Sequence, residues 1–193
     1  MNPLTLSVLK RIEAEGAEND NRESEHARKW LNLEPETGSL LSLLLKLSRV
    51  HNVLEIGTST GYSTICIASV LQEHGGRVTT IERDSVKQAK AKTNIAEAGL
   101  SDHVDWKLGE ATEIVAALSG PYDCVFFDAD RISAPAQLDL LLPKLSRPAL
   151  LLADNALSHP DQIRDYLRRV DELPGVAHTV IPIGKGLSVA YLP

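Results

Sequence analysis

The stretch FFDADR, residues 126–131, closes an apolar run with Asp128, Asp130 and Arg131. Two acids and a permanent cation at the carboxyl end of a strand either turn a corner or build a site. A second candidate is NVLEIGTSTGYS, residues 52–63, where Gly57 and Gly61 separate an apolar strand from a helical stretch. Glycines there permit a tight turn and close approach of a ligand to backbone, and the helix start offers free N–H groups to a carboxylate or phosphate. The turn suits a nucleoside cofactor, although its spacing is not the GxGxxG of dinucleotide binders, and a purely structural turn is the alternative. Glu82 ends the next strand, 25 residues after Gly57. An acid in that place can accept hydrogen bonds from ribose hydroxyls; otherwise it is a solvated strand end.

These residues need a scaffold that brings strand ends together. Apolar runs of strand length at 52–57, 77–82, 104–109, 122–128 and 149–154 alternate with helical periodicity, the pattern of a parallel sheet with helices on its faces. Asp84 is placed to cap one of the helices and Gly99 to end it. Residues 3–15 and 36–48 read as helices, and the polar run 16–25 as a mobile or solvent-facing connection, so the region before His51 is a candidate lid. At the other end, AHTVIPI and LSVAYL flank GKG and predict an antiparallel hairpin. In open sheets of this class, ligands bind at the carboxyl ends of the strands where strand order reverses, which is where the acids and glycines lie.

A chain of 193 residues without repeats or linker-like stretches predicts one domain, 1–193. With 26 acidic against 20 basic residues, the net charge of −6 disfavours a nucleic-acid backbone as partner and favours a small molecule. Cys66 and Cys124 lack metal-ligand spacing and read as buried thiols in a reducing compartment. The N-terminal stretch lacks the apolar core of a signal peptide and SLLSLLLKL is too short to span a bilayer, so no membrane association and a cytoplasmic location are expected.

In order along the chain, VLEIGTSTGYST, VTTIERD, FFDADR, LLADNAL and IPIGKGLSVA resemble the cation-dependent O-methyltransferase family that includes catechol and caffeoyl-CoA O-methyltransferases. The similarity runs from about Pro35 to the C-terminus. It implies a Rossmann-like class I methyltransferase, an α/β fold with a seven-stranded, mostly parallel sheet. It also implies S-adenosylmethionine as methyl donor and a homodimer, with residues 1–50 as a helical lid and dimerisation region. The family roles fall on Glu55, Gly57, Gly61, Tyr62 and Ser63 around the methionine part, Glu82 on the ribose, and Gly109, Glu110 and Ala111 near the adenine. Asp128 adjoins the cofactor as well, and Asp130 either contacts it or turns the chain. The resemblance further implies a divalent cation (Mg, Mn or Ca) held by Asp128, Asp154 and Asn155, a set of hard oxygen donors that leaves room for water and two substrate oxygens.

The chain departs from that family where lysine is usual and Arg131 stands, and where tyrosines usually follow but ISAPAQ (132–137) has none. Arginine does not give up its proton, so a base role cannot pass to Arg131, whereas steadying a phenolate can. The catalytic pair is therefore Asp128 and Arg131. His159 is an alternative base or an ordinary loop histidine, Trp106 a packing residue, and RDYLRR (164–169) a solvated helix face. Three functions fit: a metal-assisted O-methyltransferase of a small phenolic or vicinal-hydroxyl acceptor, an RNA hydroxynucleoside O-methyltransferase, and a non-catalytic S-adenosylmethionine-binding protein.

Overall fold

A computed structural model describes residues 1–193, the side chain of His74 excepted. Seven strands form one sheet in the order β3-β2-β1-β4-β5-β7-β6. They are β1 (Asn52–Ile56), β2 (Arg77–Glu82), β3 (Val104–Leu108), β4 (Tyr122–Phe127), β5 (Leu145–Ala153), β6 (Ala177–Ile181) and β7 (Leu187–Leu192). Only β7 runs against the rest, antiparallel to both β5 and β6. Strand order reverses between β1 and β4, which pair in parallel, so their carboxyl ends open the crevice expected of a doubly wound sheet.

Helices cover both faces. One core layer joins α1 (Pro3–Arg22), α2 (Pro35–Ser48), α3 (Tyr62–His74) and α4 (Ser85–Glu97) to the sheet through Ile12, Leu41, Leu45, Ile65, Leu71 and Ile95. The other joins α5 (Ala111–Ala117), α6 (Ala134–Leu141) and α7 (Pro160–Asp171) through Val115, Leu138, Leu141, Ile163, Tyr166 and Val170. Asp84 caps α4 by accepting from the backbone N–H groups of Val86 and Lys87, and Gly99 follows its end at φ +72°. Trp106 packs against the first layer, with the Lys92 ammonium 5.6 Å from its ring centre.

Two expectations need correction. Residues 16–22 are not a connection but the second half of α1. Their polar side chains have internal work: Asn19 and Asp20 accept from the backbone N–H of Trp30 at 3.1 and 2.7 Å, and Asp20 also from that of Leu31. The helix is thus continued by polar contacts to a strap, residues 29–34, that apolar periodicity cannot reveal. Strand β5 begins at Leu145 rather than at residue 149; its first part pairs Leu145 with Tyr122 across a register shift, and that irregularity accommodates Pro148, which has no N–H for a ladder.

Candidate active site at the carboxyl edge of the sheet

Backbone hydrogen bonds lace the strand ends together. The N–H of Gly57 donates to Ile81, that of Gly109 to Glu82, that of Asp128 to Ile56 and that of Asp154 to Phe127, all at 2.8–3.0 Å. Four candidate segments therefore stand side by side, and their spacing is set by the sheet. The turn between β1 and α3 is held at left-handed backbone angles, with φ of +104° at Gly57, +48° at Ser59 and +88° at Gly61. A Cβ at Gly57 would overlap the carbonyl of Asp128, so glycine is required there by conformation and by space.

On the β1–β2 side most polar groups are already engaged. Glu82 is buried and accepts from Ser59 N–H at 2.8 Å and Asp84 N–H at 2.9 Å, one bond to each carboxylate oxygen. The second lone pair of each oxygen is left for a diol. Glu55 lies fully beneath the turn, where Thr64 and Thr80 donate to one of its oxygens at 2.5 and 2.6 Å and the other oxygen has no protein partner. Burial pushes its pKa up to about 7 against the nearby hydroxyls of Ser63, Thr64 and Thr80. Tyr62 and Ser63 open α3, both buried. The Tyr62 hydroxyl donates to Glu13 on α1 at 2.7 Å, so its ring belongs to the core and its backbone N–H is what it offers at the helix start. Gly109, Glu110 and Ala111 follow β3 beside Glu82. The strap crosses the same turn: Ser59 Oγ donates to the Trp30 carbonyl, and Thr60 Oγ1 donates to Asn32 Oδ1 at 2.8 Å.

On the β4–β5 side the groups are strained by like charge. Asp128 and buried Asp154 face each other, and Asp154 Oδ1 has no partner. Burial and the neighbouring Asp154 hold Asp128 well above the usual carboxylate range; burial and Glu34 raise Asp154 to about 6. Asn155, at φ +65°, sets its amide Nδ2 2.8 Å from Asp154 and 3.4 Å from Asp128. Two carboxylates with a free buried oxygen and an amide that turns by a flip of its O and N fit a hard divalent cation. Among the described residues no group of three or more His, Cys, Asp or Glu side chains could hold a metal, so the amide is needed to complete this set. Asp130 spends its carboxylate on the backbone N–H of Ile132 and on Ser133, which turns the chain. Arg131 Nε donates to Gln162 Oε1 at 3.0 Å, and its side chain lines a crevice with Asp130, Gln137 and Asp154. His159 is exposed, bonded to Ser158 at 2.9 Å, with its pKa lowered by partial burial and by Arg131 and Lys185. Ile132 and Leu157 are exposed at the rim.

Sequence reasoning missed Glu34, Lys185 and Gln162. Lys185 Nζ meets Glu34 Oε1 at 2.6 Å, and both are close enough to Asp154 and Asp128 to act on their charge. The GKG turn was visible in the chain; that its lysine faces the carboxylates was not, because the pairing joins the strap to the C-terminal hairpin.

The sheet order, the glycine turn and the acid ending β2 define the class I methyltransferase scaffold. The chain belongs to the family described as O-methyltransferase, whose profile matches residues 17–190. It is 39% identical to a catechol O-methyltransferase of Niastella koreensis over an alignment that covers 66% of this chain and 59% of that protein. A catechol O-methyltransferase of Mycobacterium tuberculosis is 34% identical, with 76% of this chain and 71% of that protein covered. Among solved structures, an O-methyltransferase from Bacillus cereus in complex with SAH superposes with a TM-score of 0.80 at 26% identity, covering 97% of this chain and 91% of that one.

Proposed function

We propose that the protein is an S-adenosylmethionine-dependent O-methyltransferase, metal-assisted, acting on a small phenolic or vicinal-hydroxyl acceptor. The observation that carries the reading is the adjacency, at one strand-order reversal, of a carboxylate set for a diol and a facing carboxylate pair with a free buried oxygen. Glu82 binds the ribose, the Gly57–Gly61 turn and the N–H groups opening α3 receive the methionine part, and Gly109 to Ala111 border the adenine. Asp128, Asp154 and Asn155 would hold the cation, which when bound acidifies an acceptor hydroxyl and orients its oxygen. Arg131, steadied by Gln162, places a permanent positive charge where the phenolate forms and leaves proton removal to other groups. The strap excludes water from the donor side.

The same reading takes the chain as one domain, 1–193, with residues 1–50 as lid and dimerisation region, in a cytoplasmic homodimer. No helix among the described residues is long and apolar enough to cross a membrane. Transfer of labelled methyl to catechols, hydroxycinnamates and RNA, with and without chelator, tests it. Catechol or hydroxycinnamate labelling that chelator abolishes is expected. RNA as sole acceptor, or labelling of none, would replace this reading with one of the other two. Asp128→Ala and Asp154→Ala should remove stimulation by magnesium or manganese while SAH still binds.

A further inference from the structure

The loop after β5 and the β6–β7 turn are locked together at the cation side. The N–H groups of Leu157 and Ser158 donate to the Lys185 carbonyl at 2.9 and 3.1 Å, and that of Ala156 donates to Gly186 at 2.9 Å. Gly186, at φ +92°, leaves no room for a Cβ, which would stand 2.5 Å from Leu157 Cγ and 2.7 Å from its backbone N, so the two segments are in close contact there. The Lys185 backbone is thereby fixed beside Asp154 and Asn155. Its ammonium is held 2.6 Å from Glu34 Oε1, while the other Glu34 oxygen is buried without a partner. Burial works against the charge on Lys185, yet Glu34, Asp154 and Asp128 outweigh it and keep the lysine protonated.

We infer that Lys185 is a tethered counter-ion for the Asp128–Asp154 pair, held at its station by Glu34, and that it sets how tightly the chain takes a divalent cation. This rests on the metal reading above. Two carboxylates facing each other in a poorly solvated pocket repel, and an ammonium in the same field offsets that repulsion when no metal is bound. The same ammonium repels an incoming dication. Glu34 restrains it: with the ion pair made, Lys185 leans toward the strap rather than into the carboxylates. The geometry serves as a weak internal competitor, so occupancy follows the free cation concentration instead of being permanent.

A salt bridge that merely staples the strap to the hairpin would predict loss of stability without a change in cation affinity. The two roles separate in a manganese titration followed by electron paramagnetic resonance of the free ion, with SAH binding by calorimetry as the measure of an intact fold. Lys185→Met, which keeps the stem and removes the charge, should bind manganese at least about tenfold more tightly than the unaltered chain. Glu34→Gln both releases the ammonium and removes a negative charge that acts on Asp154, so it should bind manganese several-fold more weakly, and Lys185→Gln, which likewise removes the ammonium, decides the matter if Lys185→Met does not fold. Lys185→Arg should stay close to the starting affinity. Equal manganese affinity in the unaltered chain and Lys185→Met overturns the inference and leaves the metal reading standing. Absence of manganese binding in every variant, with SAH bound normally, overturns both.

Discussion

The two halves of the crevice are built on different terms. On the β1–β2 side, Glu82 receives two backbone N–H groups, a strap is hydrogen-bonded over the turn, and Glu55 alone keeps a buried oxygen without a partner. On the β4–β5 side, two carboxylates confront each other, Asp154 and Glu34 each keep a buried oxygen without a partner, and the Lys185 ammonium that acts on the pair is bonded to Glu34. The first half is organised before any ligand arrives; the second is left short of positive charge. A site in which one reactant is to be gripped and the other ionised needs that asymmetry, because preorganised donors bind while an unbalanced field shifts a proton.

The contrast can be broken most severely where the halves touch. Gly57→Ala places a methyl group into the Asp128 carbonyl at a left-handed backbone angle, and should cost about 3 kcal/mol or more of stability and impair both halves together. Urea unfolding with parallel SAH and manganese titrations checks this; loss of one ligand alone would mean the halves are independent. Next comes Glu55, whose folded-state pKa of about 7 exceeds its ordinary 4.5. Between those values the folded chain keeps a proton that the unfolded chain has lost, so stability falls as pH rises through the window and levels off above it. The span is on the order of 3 kcal/mol. Glu55→Gln should reduce that dependence, leaving the share of Asp128 and Asp154, and be the more stable form at pH 8, as read from urea unfolding at pH 5 and pH 8; an unchanged slope would place the titration elsewhere.

Glu82→Ala should weaken S-adenosylmethionine binding by about 1–3 kcal/mol and leave manganese affinity alone, which calorimetry separates directly. Unchanged cofactor affinity would remove Glu82 from the site. Smallest is the effect at Arg131. Arg131→Leu should slow methyl transfer by roughly tenfold or more through loss of a fixed charge, whereas Arg131→Lys should stay within about threefold. With chemistry limiting, a more acidic phenol should move the rising limb of the pH–rate profile to lower pH. Full activity in Arg131→Leu would reduce that residue to turning the corner after Asp128.

Much of the β1–β2 half was legible because its signals are local. Strand ends carry their own acid or glycine, Asp84 and Gly99 punctuate α4, and alternation in the last two runs marks the hairpin. The β4–β5 half was legible only in part. Asp128, Asp154 and Asn155 stand at strand ends and could be named, but Glu34 and Lys185 come from opposite ends of the chain and meet only in the folded molecule. The inward turn of Tyr62 depends on the phase of α3 against Glu13, which no spacing near Gly61 discloses. The second half of α1 escaped for the same reason: Asn19 and Asp20 have their partners at Trp30 and Leu31.

The rim residues Ile132 and Leu157 carry a different kind of consequence. Both project from exposed segments just beyond β4 and β5, and neither belongs to a core layer. Exchanging them would alter the surface beside the crevice without disturbing a strand register or the glycine turn. Such loop side chains can vary one at a time, whereas Gly57, set against the Asp128 carbonyl, cannot change alone.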